Sequence, residues 1–200
     1  MKLITKVLML LFITTSVYAQ KPKVTKGDWT ALAGIKEYNL VFNYEGMEVI
    51  DYDSEEAYLE EKVKGKNEKE AGSGDKYKEK WFTARDESYA PDFIKGFNKK
   101  AMDFASVEID SDAEYTMEIK TTKVYPGWFV GIATQPVKLY FSVIVYKSGN
   151  PSDVIFTATM DKVMSSNSTF VAQYTEFQRI SNAYYIGAQY FKKMLTKKAK

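Results

Sequence analysis

The chain contains neither cysteine nor histidine, and its arginines are confined to Arg85 and Arg179. Without thiols there are no disulfides, no thiolate metal sites, no cysteine nucleophile and no lipid attached to a cysteine. Without imidazole the Ser-His-Asp and Cys-His constellations and the common zinc sites are excluded, and acid–base catalysis near neutral pH loses its usual carrier. The chemistry that remains is carboxylate pairs, Ser-Lys pairs or oxygen-ligated calcium. Long apolar runs are missing too. The first, Val7 to Ile13, is far short of the roughly 20 residues that span a bilayer.

That short run has another reading. Lys2 and Lys6 precede it, and Val17-Tyr18-Ala19 is a small-x-small cleavage site, the layout of a secretory signal over residues 1–19. The expected mature protein is residues 20–200, exported to the periplasm or beyond and without a membrane span. Removing Lys2 and Lys6 takes the 28 basic residues to 26, equal to the 26 acidic ones. A neutral surface with two guanidinium groups has no field to gather nucleic acid, so a nucleic-acid partner is excluded.

No Pro-rich or Gly/Ser-rich linker interrupts residues 20–200, and one domain is expected. Tyr38, Leu40, Phe42 and Tyr44 alternate with Asn39, Val41 and Asn43, which predicts a half-buried strand. Asp51 to Ser54 supply a turn and cap for a surface helix over 54–70, with Glu55 and Glu56 in its first turn. A second helix starting near Asp75 turns Tyr77, Trp81 and Phe82 to the core. A third from Pro91 carries Phe93, Ile94, Phe97, Ala101 and Phe104.

Period-2 patterns return at Tyr115, Met117 and Ile119, at Leu139 to Tyr146, whose two faces are both apolar, and at Val154 to Met160. Phe177, Ser181, Tyr184, Ala188, Phe191 and Leu195 then mark a long helix. Thr175 and Gln178 are spaced as a capping box, Lys192, Lys193, Lys197, Lys198 and Lys200 lie near the negative end, and Gly187 suits close approach to a sheet. The predicted fold is α+β: one mainly antiparallel sheet of four or five strands, helices packed chiefly on one face, and a long C-terminal helix.

The segments Gly34 to Tyr44, Ser54 to Trp81, Glu118 to Ile132 and Asn182 to Leu195 resemble, in that order, a family of uncharacterised secreted proteins from Bacteroidetes. The order of elements is distantly similar to envelope accessory domains such as the amino-terminal domain of TolB. The resemblance implies an exported α+β domain and carries over no activity, cofactor or site residue.

Candidate sites follow from the residues. Ala71 to Lys76 has glycines too close together for a phosphate loop and reads as a helix-to-helix turn. Asp51, Asp53, Glu55 and Glu56 lack the calcium-loop spacing and read as caps. Asn167-Ser168-Thr169 matches a glycosylation acceptor but carries no weight outside a eukaryotic secretory pathway. No metal or cofactor is called for.

The least ordinary stretch is Val124 to Pro136, where a Pro-Gly signal is followed by Trp128, Phe129 and Val130. Those rings either cap the core at the sheet's rim or, with Tyr125, form an exposed lip for a ligand or partner. The function expected is an exported, non-catalytic module binding an envelope protein or cell-envelope component through Tyr125, Trp128, Phe129 and Val130. The alternative is a carboxylate-dependent hydrolase acting on a glycan or other envelope polymer.

Overall fold

Alternation in Glu37–Asn43 (β2) buries Tyr38 and Leu40 and leaves Val41 exposed, as a strand with one covered face must. The computed structural model describes residues 21–99, 104–131, 133–166 and 174–199. The signal segment, Ala101, the Asn167-Ser168-Thr169 acceptor and Lys200 lie outside the described residues. Around β2 the chain sets Lys23–Lys26 (β1), Glu48–Val49 (β3), Ser106–Glu108 (β4), Tyr115–Tyr125 (β5), Lys138–Lys147 (β8) and Val154–Met164 (β9) in one sheet, ordered β1-β9-β8-β5-β2-β4, with β3 beside the far end of β5. Trp128–Phe129 (β6) and Thr134–Gln135 (β7) form a separate hairpin.

The sheet is larger than expected and it is mixed. β5, β8, β9 and β1 pair antiparallel, but β2 runs parallel to both β4 and β5, and β3 runs parallel to β5. The reason is the connection. Parallel neighbours need a crossover of a dozen residues or more, and the three helices between β3 and β4 supply it.

Those helices are Glu55–Asn67 (α1), Ser73–Ala84 (α2) and Ala90–Phe97 (α3). The Ser54 hydroxyl caps α1 by accepting from the Ala57 amide at 3.1 Å. Gly74 lies where a Cβ would sit 2.3 Å from the Val63 carbonyl oxygen, so α1 and α2 cross at a point only glycine permits. Its amide donates to Asn67 Oδ1 at 2.8 Å, and the stretch is a helix-to-helix turn.

Three details depart from expectation. Phe82 is 40 % exposed on the outer side of α2, with the Arg85 guanidinium over its ring. Residues Arg85–Tyr89 form a π-turn joining α2 to α3, and Pro91 follows it. α3 stops at Phe97, and the Asn98 side chain turns to β4, its Nδ2 donating to the Val107 carbonyl at 2.8 Å and its Oδ1 accepting from the Val107 amide at 3.0 Å.

The last helix, Glu176–Lys198 (α4), begins at the Thr175–Gln178 capping box and buries Ser181, Tyr184, Ala188, Phe191 and Leu195. A Cβ at Gly187 would lie 2.8 Å from the Phe141 ring, which explains the small residue where helix meets sheet. Lys192 does not face solvent at the helix end. It is 1 % exposed, its ammonium donating to the Ala105 carbonyl and lying over the Phe97 ring. The covered sheet face holds Met117, Ile119, Leu139, Phe141, Val143, Phe156 and Ala158, while Tyr140, Ser142 and Ile144 on the other face stay half exposed. Among the described residues no helix is long and apolar enough to cross a membrane.

Candidate functional site

The Pro-Gly stretch folds as a hairpin at the end of the β5–β8 pair. Gly127 has a φ of +66°, and a Cβ there would lie 2.4 Å from the Gln135 carbonyl oxygen, so the two arms close at their base only around glycine. Farther out, Val130 donates its amide to Ala133 at 3.0 Å and the Thr134 hydroxyl donates to the Trp128 carbonyl at 3.0 Å. Trp128 is 41 % exposed, Val130 is 64 % exposed, and Phe129 is half-buried without joining the hydrophobic core. The rings therefore do not cap the core.

On the hairpin's inner side is a cleft of about 320 Å³, large enough for a small ligand. Four parts of the chain wall it: Ile50 to Tyr52 after β3, Tyr58, Glu61 and Lys62 of α1, Tyr125 to Trp128, and Glu176 at the start of α4. Of the four residues expected to bind a partner, Tyr125 and Trp128 line this cleft and Phe129 and Val130 do not; Asp51, expected as a cap, lines it as well.

Each wall is built locally. Asp51 takes a φ of +76° in the turn closed by the Tyr52 amide donating to the Val49 carbonyl at 3.1 Å, a conformation aspartate tolerates better than most residues. Tyr58, Glu61 and Lys62 are spaced i, i+3, i+4 and so share one face of α1. Glu176 occupies the first turn of α4, where the helix dipole favours a carboxylate.

The carboxylates are held by tyrosines. Tyr52 donates to Glu61 Oε1 at 2.9 Å, and Glu176 Oε1 accepts from Tyr77 at 2.7 Å and from Tyr58, whose hydroxyl also meets that of Tyr77 at 2.7 Å. Burial, and then the hydrogen bond to Glu61 and its charge, push the Tyr52 hydroxyl up to about 12. Burial first, and the Glu176 charge second, push Tyr58 and Tyr77 well above the ordinary tyrosine range. All three phenols therefore stay protonated near neutral pH and act as donors. Two rings already carry an ammonium of the chain, Lys62 at 5.3 Å over Tyr58 and Lys138 at 4.7 Å over Tyr125.

Chemically the cleft offers ring faces for stacking and three carboxylates, Asp51, Glu61 and Glu176, as acceptors. The sequence pointed to the hairpin but not to the opposite wall. The shared helical face of Tyr58, Glu61 and Lys62 was the available signal, and it resembles an ordinary solvated stripe. Glu55 accepts from Trp81 Nε1 and Arg85, and among the described residues no group of three or more acidic side chains is arranged to hold a metal ion. No protein-family model, no curated protein and no solved structure matches the chain.

Proposed function

We propose that the chain is an exported, non-catalytic binding module that holds a glycan component of the cell envelope in the cleft between the β6–β7 hairpin and α1. The observation that carries this reading is an exposed indole, Trp128, set across a cleft from fixed carboxylates. Sugar rings present C–H faces to aromatic side chains and hydroxyls to carboxylate acceptors, and the cleft supplies both. Export is supported by the Val7–Ile13 run behind Lys2 and Lys6.

The alternative, hydrolysis by a carboxylate pair, draws support from Glu61 and Glu176 sharing the cleft. A hydrolase of that kind needs one carboxylic acid that presents a proton to the leaving oxygen. Here both side chains accept from tyrosine hydroxyls, which suits acceptors of ligand hydroxyls. Co-sedimentation with purified insoluble cell-wall polymer tests the choice. Capture without release of soluble fragments, lost in Trp128→Ala, is expected. Release of reducing ends that stops in Glu61→Gln or Glu176→Gln would replace the binding reading with the alternative.

A further inference from the structure

Building on the reading of the cleft as a glycan site, we propose that its occupant is an amino-sugar glycan, bound with protonated amines against Asp51, Glu61 and Glu176 and one ring face on Trp128. The cleft has three carboxylates and a single lysine, Lys62. A neutral sugar settling there would strip water from these carboxylates without replacing the charge interaction, whereas an ammonium restores it with charge-assisted hydrogen bonds. An anionic glycan would be repelled.

The cleft's own lysine gives independent support. Lys62 shows that an ammonium settles on an aromatic ring of this cleft, over Tyr58. Among the described residues no such cation lies over Trp128, whose ring is the exposed one. A pyranose bearing an amine meets both requirements at once, stacking on the indole while its nitrogen reaches the carboxylates held by Tyr52, Tyr58 and Tyr77.

The test is calorimetric titration of the mature chain with three probes: a glucosamine tetramer with free amines, the N-acetylglucosamine tetramer, and tetralysine. The free-amine tetramer should bind about tenfold or more tighter than the acetylated one, a difference of about 1.4 kcal/mol. Combining Asp51→Asn with Glu61→Gln should bring that ratio near one. Both replacements keep the local geometry, since asparagine tolerates the positive φ and glutamine still accepts from Tyr52. Equal or tighter binding of the acetylated tetramer would overturn the amine proposal and leave the glycan reading standing. Tetralysine binding as well as the glucosamine tetramer would overturn it in favour of charge alone. Binding of neither sugar would overturn both readings.

Discussion

Two aromatic clusters, one under α4 and one at the end of β5, use the same residue types to opposite ends. Under the helix, Phe93, Phe141, Tyr184 and Phe191 meet other rings: Phe141 lies 6.2 Å from both Phe93 and Tyr184, and Phe191 packs on Phe97 and Phe156. The polar atom there is bonded inward, Tyr184 to Thr121 at 2.5 Å. At the cleft Tyr52 and Tyr58 turn their hydroxyls to carboxylates, the buried Tyr77 hydroxyl joins Tyr58 on Glu176, and Trp128 faces solvent. An aromatic ring becomes core or binding surface according to what the adjacent backbone brings up to it. Gly187 brings α4 onto Phe141, whereas Gly127 lets the hairpin carry Trp128 away from the sheet.

The comparison is broken most severely by emptying the core. Phe191 is fully buried, and Phe191→Ala should cost about 3–5 kcal/mol through lost burial and the cavity left behind. For a chain of this size that lowers the melting temperature by about 2–4 °C per kcal/mol, readable by calorimetry or circular dichroism. A loss below about 1 kcal/mol would mean that α4 is not seated on the sheet as described.

Alkaline titration probes the two tyrosines bonded to Glu176. Tyr58 and Tyr77 keep their protons in the folded chain to a pH at which the unfolded chain has lost them. The folded state then binds more protons, so stability is intact below about pH 10 and falls as pH rises beyond it, by up to about 1.4 kcal/mol per pH unit for each such group. Chemical denaturation between pH 9 and about 11 should show this decline, and Tyr58→Phe should make it shallower. An unchanged slope would place those hydroxyls in water.

Single hydroxyls sharpen the contrast within the core. Tyr184→Phe leaves the buried Thr121 hydroxyl without its partner and should cost about 1–3 kcal/mol. The buried Tyr89 hydroxyl has no partner among the described residues, so Tyr89→Phe should be neutral or stabilising. Equal losses from the two substitutions, measured by urea denaturation, would contradict this.

What was legible in the chain was local. The alternation of Tyr38, Leu40 and Phe42, the two apolar faces of Leu139 to Tyr146, and the capping box and stripe of α4 are each written in one continuous stretch of chain, and each appears in the structure. The parallel pairing of β2 was not, because it depends on where a helical crossover returns the chain. β1, Lys-Val-Thr-Lys at the sheet edge, has the charged composition that edge strands share with loops. The site divides the same way. Tyr125 and Trp128 announce themselves in one unusual stretch, whereas Tyr52, Glu61 and Glu176 acquire meaning only when α1 and α4 bring them to that stretch.

The smallest expected stability effect is the most informative about function. If Trp128 belonged to the core, its truncation would resemble that of Phe191; as an exposed residue on a two-stranded hairpin it should shift stability by no more than about 0.5 kcal/mol. Melting curves of Trp128→Ala beside those of Phe191→Ala measure that difference directly. A drop of several kcal/mol would show that the indole supports the fold, and any loss of ligand capture in that variant would then reflect unfolding. A near-silent melt with capture abolished would place the indole's contribution in the bound complex, where an exposed ring gains the burial that the folded chain alone does not give it.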